Sequence, residues 1–466
     1  MRVLRHGHCC YRVCMAAHTT AHVRNEDPAR PADVAAGEDG RPVDAEAFSG
    51  LMERFAPFEQ APRLVVGLSG GADSMSLMLL VHEWARARGG SALACIVDHG
   101  LRAESADEAA QVATSCMRHG IAAHVRAWRD AKPDSGIEQA ARRARHEILG
   151  AFCRQTGSLH LLLAHHRDDQ AETVAMRRIM KSGELGLSGM SSCHERAGYR
   201  VLRPFLNLPK SRLEATLLQR NQSWFDDPMN RDLSFLRVRL RRYGAPPPDA
   251  AWGRERNAVE RRLAASLPGL VEIDALGHGT LDRTKFLALD GALRRLAVSR
   301  LAQTVGGLDY PPRGRRLDAL VEALASTGVL RASLGRCTWR GDERVLVTRE
   351  RRNLPWTITQ GGEGEVLWDG RFRLYLPAGN WTIGPLDPTQ WREVAPRSCP
   401  SRAIASKFKE IGGIPAVYDL EGLASVPHLG YARDRGLVNC RSRFAPKQML
   451  VPASFVGAGM TDAERR

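Results

Sequence analysis

None of the ten cysteines (9, 10, 14, 95, 116, 153, 193, 337, 399 and 440) forms a C-x-x-C pair. The chain therefore gives no ground for a zinc ribbon or a dithiol redox centre. Cys9, Cys10 and Cys14 lie near His6 and His8, but with irregular spacing and no second half-site they read as a chance cluster. Scattered thiols fit a reducing cytoplasm, the expected location. No apolar run approaches the roughly 18 residues of a membrane span, so no membrane partner is expected. G-x-x-x-x-G-K-S/T and G-x-G-x-x-G are both missing, which removes the usual P-loop and the dinucleotide fingerprint. Acidic residues are in the minority: 52 Asp and Glu stand against 67 Lys and Arg, a net charge of +15 over 466 residues.

The basic excess is concentrated. Residues 1–60 hold seven Arg against nine Asp and Glu, whereas residues 196–244 hold eleven Lys and Arg against four acids. Charge alone fits either a solvated basic surface or a polyanionic partner; its concentration favours a binding face, most simply for nucleic acid. The length exceeds one ordinary core, and roughly two to four domains are expected.

Residues 1–60 are rich in Ala, Pro, Asp and Gly with little periodicity, and read as a disordered N-terminal extension. Their Arg-rich start lacks the apolar core of a secretory signal. A transit segment and a start codon assigned too far upstream stay open beside a plain extension. Deleting residues 1–58 is expected to leave folding nearly unchanged.

From residue 61 short apolar runs ("RLVVGL", "ALACIVDHGL", "AAHVRAW", "LHLLLAHH") alternate with helical patterns. This predicts an α/β fold with a doubly wound parallel sheet over 61–245. Ser105 and Glu108 are spaced as a capping box at the start of one helix. The triple proline in "YGAPPPDAAWG" (243–253) marks a boundary. Beyond it, 246–330 reads as a helical domain and 331–466 as a small β-rich, mixed α/β C-terminal domain.

Within "VVGLSGGADSMSLMLL" (65–80) a buried strand turns into a helix through Ser69, Gly70, Gly71, Ala72, Asp73 and Ser74. Clustered backbone N–H groups at a helix start, two hydroxyls and no side-chain bulk suit a nucleotide's phosphates better than a plain Ser-capped turn does. Asp73 would repel bare phosphate and makes sense as a partner for the accompanying Mg²⁺.

This loop resembles the SGGxDS loop of the ATP-pyrophosphatase (PP-loop) superfamily, whose fold is adenine nucleotide alpha hydrolase-like. Further stretches are similar to the tRNA(Ile)-lysidine synthase family within it: "VDHGLRAES" (97–105), "EQAARRARHEIL" (138–149), "AHHRDDQAETV" (164–174) and "WFDDPMNRDLSFLRVRLR" (224–241). Weaker similarity runs through "TRERRNLP" (348–355) and "PAVYDLEGLASVPHLG" (415–430), so the resemblance covers about residues 62–450. The family usually has Tyr where this chain has His146, and an Arg-Asn pair where it reads Arg237-Val238.

The resemblance implies ATP and Mg²⁺, free L-lysine, and an isoleucine tRNA with a CAU anticodon. ATP adenylates C2 of the wobble cytidine, and lysine then displaces AMP to give lysidine. It also implies catalytic roles for Asp73, Asp169, Glu172 and Arg237, with Asp169 and Glu172 around lysine and residues 246–330 on the tRNA. Asp169 and Glu172 share a helix face, where the plainer reading is a dipole-favoured acidic helix start. His99, Arg102, Arg142, Arg145 and His165 are expected to line the cleft, since most fall at strand ends and the two helical arginines offset nucleotide charge. Trp224 is open between base stacking and packing. A tRNA thiolase, an amidotransferase-coupled synthetase and a non-catalytic tRNA-binding relative are the alternatives; C-x-x-C pairs and a glutaminase domain are missing, and the intact loop argues against decay. The sequence does not fix the oligomeric state, a homodimer being compatible with it.

Overall fold

The computed structural model describes residues 40–133, 135–180, 184–225, 236, 239–240, 251–359, 361–387, 389–390, 394, 413–434, 437 and 439–450. Arg237, the triple proline and most of 226–250 lie outside them.

Strand β1 (Arg63–Leu68) is apolar on both faces, and both faces are covered. Leu64, Val66 and Leu68 join one buried cluster and Val65 another, the period-2 alternation of a strand between two layers. Around it lie α2 (Ala72–Arg86), β2 (Ser91–Asp98), α3 (Ser105–Arg118), β3 (Ala122–Ala127), α4 (Ile137–Thr156), β4 (His160–Leu162) and α5 (Arg167–Ile179). They are followed by α6 (Glu184–Leu187), β5 (Cys193–Arg196), β6 (Tyr199–Leu202) and α7 (Lys210–Gln219). The strands order as β3-β2-β1-β4-β6-β5, parallel except for the β5–β6 hairpin at one edge. Helices α2, α3 and α7 pack on one face and α4 on the other. The doubly wound expectation holds. Because β1 pairs with β2 on one side and β4 on the other, the winding reverses there, and the crevice at their carboxyl ends is where such sheets bind ligands.

Two local expectations change. Residues 40–60 are not a disordered extension: α1 (Ala45–Glu53) is capped by Asp44 Oδ1, which accepts the Ala47 N–H at 2.8 Å. Phe48, Leu51, Met52 and Phe55 are buried in the core shared with β1 and α2. Deleting residues through 58 would strip large side chains from that core, at about 2–5 kcal/mol each. In α3 no Ser105–Glu108 capping box forms; Glu104 is the N-cap, Ser105 Oγ donates to Arg102 O, and Glu108 pairs with Arg102 at 2.7 Å.

Past residue 250, helix α8 (Ala251–Ser266) leads into β7 (Val271–Ile273) and β8 (Gly279–Asp282). A short helix, Arg283–Leu287, and two more, Gly291–Gly306 and Arg315–Ala325, then precede strands over Leu330–Leu334, Cys337–Gly341 and Arg344–Arg349. Residue 330 is not a boundary. β8 pairs with Arg344–Arg349 in one antiparallel five-stranded sheet, and one core runs from Leu263 to Val347. Strands of three and four residues among strong helices are what made 246–330 read as helical. From Thr357 onward two antiparallel sheets, of five and three strands, enclose Trp368, Phe372 and Ile383. Among the described residues no helix is long and apolar enough to cross a membrane.

Candidate active site

The phosphate loop leaves β1 and enters α2 with Gly71 as N-cap and no side-chain cap, which leaves first-turn N–H groups for an anion. Ser74 Oγ donates to Gly71 O at 3.1 Å, accepts the Ser69 N–H at 3.2 Å and lies 3.1 Å from Ser69 Oγ, closing the loop on itself. Gly70 has φ +86°, and a Cβ there would stand 2.5 Å from Val112 Cγ2 and 3.3 Å from Phe225. Only glycine fits both the left-handed backbone and this backing. Phe225 N–H donates to Gly70 O at 3.0 Å. Trp224 packs against the core of the same face, so the structure places it in packing.

Asp73 follows on α2. Its Oδ1 is buried with no hydrogen-bond partner, while Oδ2 lies 3.5 Å from His166 Nε2. An orphaned carboxylate oxygen beside a phosphate cradle fits Mg²⁺, an ion held by one or two carboxylates plus nucleotide oxygens and water. Among the described residues no group of three or more His, Cys, Asp and Glu is arranged to hold a metal by itself.

Helix α5 starts at the carboxyl end of β4, beside β1. His166 is its N-cap in a capping box, and Asp169 Oδ2 accepts the His166 N–H at 3.0 Å. Asp169 does cap, as the plainer reading held, and it also faces the His166 ring at 3.5 Å. His166 Nδ1 lies 3.2 Å from the Asp168 N–H, which it accepts when unprotonated, and 3.4 Å from the Asp168 carboxylate, to which it donates when protonated. Burial alone would lower its pKa; the Asp168, Asp73 and Asp169 carboxylates outweigh that and raise it to about 10. Its hydrogen bond holds the Asp168 carboxyl below the usual range. Glu172, one turn on, is 2% exposed.

The other side of the crevice is cationic. His165 Nδ1 accepts Arg203 Nε–H at 3.2 Å, and Arg203 also donates to Ser191 O at 2.9 Å. Burial, then Arg203, Arg142 and Arg145, pushes His165 well below its ordinary pKa. Burial and the arginines at 142, 203, 196 and 145 push His146 down to about 3. Burial lowers Arg203 itself to about 9, helped by Arg142 and Arg196. Arg145 reaches Gly67 O at 3.4 Å, two residues before Ser69, which joins this cationic wall to the phosphate loop.

The structure thus brings together the 69–74 loop, Asp73, Asp169, His165 and Arg145. His99 is half-buried at the end of β2, its Nδ1 without a partner and its pKa lowered by burial and by Arg145. Arg102 instead turns to Glu108. Arg239 and Leu240 are helical; Arg237 beside them lies outside the described residues. Sequence reasoning missed His166 and Arg203. Arg203 ends a strand, the criterion that picked out His99, and His166 precedes an acidic helix start.

Residues 44–246 match the PP-loop domain family (ATP_bind_3). Over 244 residues the chain is 44% identical to the tRNA(Ile)-lysidine synthase of Bradyrhizobium diazoefficiens, covering 52% of this chain and 66% of that protein. The Rhizobium meliloti protein of the same name is 35% identical over 328 residues, 66% of this chain and 72% of the relative. That of Brucella suis is 30% identical over 430 residues, 85% of this chain and 93% of the relative. Similarity along nearly the whole length reaches past the nucleotide-binding sheet into both later units, and the chain belongs to the tRNA(Ile)-lysidine synthase family.

Proposed function

We propose that this crevice ligates free L-lysine to C2 of the wobble cytidine in an isoleucine tRNA with a CAU anticodon. ATP adenylates the C2 oxygen and pyrophosphate leaves; a lysine amine then attacks C2 and AMP leaves. The observation that carries the reading is the meeting of two motifs at the ends of adjacent strands. A phosphate-type loop follows β1, and the acidic start of α5 follows β4.

In this reading residues 69–74 hold the nucleotide's phosphates through backbone N–H groups and hydroxyls. Asp73 would hold Mg²⁺, which when bound neutralises charge on the β and γ phosphates. Arg142, Arg145 and Arg203 form the wall that balances the remaining anionic charge, and the His165 ring sits among them as a hydrogen-bond acceptor for Arg203. Asp169 and Glu172 hold the lysine ammonium, and a carboxylate beside it accepts the proton that the amine must lose before attack. His99 lines the nucleotide end, and Arg237 acts on the strength of the family resemblance. The tRNA body is assigned to the units beyond residue 250, and the compartment to the cytoplasm.

The test is turnover by the purified chain with ATP, labelled lysine and the tRNA transcript. AMP, pyrophosphate and labelled tRNA are expected together; ADP as product, or unlabelled tRNA, contradicts the assignment.

A further inference from the structure

His166 belongs to neither group that the proposed chemistry uses, yet it touches both. Its ring is 3% exposed and stands at the N-cap of α5, where a short Ser, Thr, Asp or Asn is the ordinary choice. The Nδ1 edge serves Asp168. The opposite edge does what no cap requires: Nε2 lies 3.5 Å from Asp73 Oδ2 and 3.5 Å from Asp169 Oδ2. One of these carboxylates opens the helix after the phosphate loop, and the other closes the capping box of α5. Two segments far apart in the chain share a single imidazole.

The geometry points to His166 as a positioning residue that couples the nucleotide subsite to the amine subsite, so that filling one tightens the other. The inference rests on the lysine-ligation reading above. Its physical basis is the length of the two contacts. At 3.5 Å they are at the outer limit of a hydrogen bond, and contacts of this kind in ligand-free sites commonly tighten when ligand binds. Asp73 keeps its other oxygen, buried and without a partner, for the nucleotide side. A ligand that fixes Asp73 therefore also fixes the ring against Asp169, and with it the first turn of α5 that leads to Glu172. Ordering completed by the first ligand no longer opposes the second, which produces positive coupling without a large rearrangement.

The test is calorimetry on the full chain, with L-lysine titrated in the presence and absence of Mg²⁺ and α,β-methylene ATP. In the unaltered protein the analogue should tighten lysine by about fivefold or more, the lower range of ordinary site coupling. His166→Asn keeps a polar atom near the Nδ1 position and loses the Nε2 edge. It should still bind each ligand, with coupling reduced to within about twofold. Asp73→Asn, read at analogue concentrations that saturate its weakened nucleotide site, cuts the link from the other end without touching the α5 cap, and decides the matter if His166→Asn fails to fold. Full coupling retained in the folded variant, or lysine binding without coupling in the unaltered protein, overturns the inference. An unaltered protein that binds the analogue but no lysine contradicts the lysine-ligation reading instead.

Discussion

His165 and His166 are adjacent in the chain and opposite in state. Burial and three arginines drive His165 well below its ordinary pKa, whereas three carboxylates overcome burial and raise His166 to about 10. The sign of the field reverses within one residue because β4 ends between two walls. Arg142, Arg145, Arg196 and Arg203 stand on one side, and Asp73, Asp168 and Asp169 on the other. A crevice polarised in this way suits a reaction that brings a polyanionic nucleotide and an ammonium group to one atom. Placing both groups in one uniform field would favour one substrate and repel the other.

Breaking the cationic wall should have the largest effect. Arg203→Glu sets a carboxylate among the remaining arginines and occupies them. Changes to buried charged contacts cost about 2–5 kcal/mol, so tRNA-dependent AMP formation should fall by about 100-fold. The His165 pKa should rise at the same time, observable by NMR. Unchanged turnover would show that this wall is structural only.

Gly70→Ala tests the loop where the walls meet. The φ of +86° and the 2.5 Å approach to Val112 together imply strain of roughly 1–3 kcal/mol. The KM for ATP should rise by about tenfold while the KM for lysine stays near its original value. A rise in lysine KM alone would misplace the nucleotide.

The two walls should also respond oppositely to pH. His146, held at about 3 when folded against 6.5 in the unfolded chain, binds fewer protons in the native state, so stability falls as pH drops below 6.5. That loss is about 2 kcal/mol between pH 7 and pH 5, and His146→Tyr should remove it from pH-dependent denaturant melts. His166, raised to about 10, contributes stability that is complete below 6.5 and is lost as pH climbs toward 10. Asp168, lowered when folded, keeps its contribution above the unfolded value of 3.8 and loses it only below. Acid should therefore loosen the arginine wall first and base the carboxylate wall. A His146→Tyr protein as acid-sensitive as the original would contradict this. The mildest perturbation is salt. Affinity for tRNA should fall log-linearly as salt rises, because Lys and Arg displace counterions from phosphates. A flat response would detach the basic charge from RNA binding.

Much of this architecture is legible in the sequence, for identifiable reasons. The phosphate loop is a local signal: a strand, two glycines and a helix in sixteen residues. The parallel sheet follows from repeated alternation. Helix α1 was legible too, since Phe48, Leu51, Met52 and Phe55 fall at i, i+3, i+4 and i+7, but the surrounding Ala, Pro and Asp masked that spacing. The pairing of β8 with Arg344–Arg349 joins two strands separated by three helices and two other strands, and no local periodicity announces it. The polarity of the crevice is a long-range property as well. His165 and His166 look alike in "AHHRDD", and only the arrival of Arg203 on one side and Asp73 on the other separates them.

The central claim, that the nucleotide and lysine are held by different residues of one crevice, is tested most directly by separating the two chemical steps. Asp73→Ala should fail to adenylate the tRNA, because charge on the leaving pyrophosphate goes unneutralised. Glu172→Ala should still adenylate without lysine, with the KM for lysine raised at least about tenfold, the lower end expected from removing one partner of a desolvated charge contact. A Glu172→Ala enzyme with an unchanged lysine KM, or one unable to adenylate, would contradict the account.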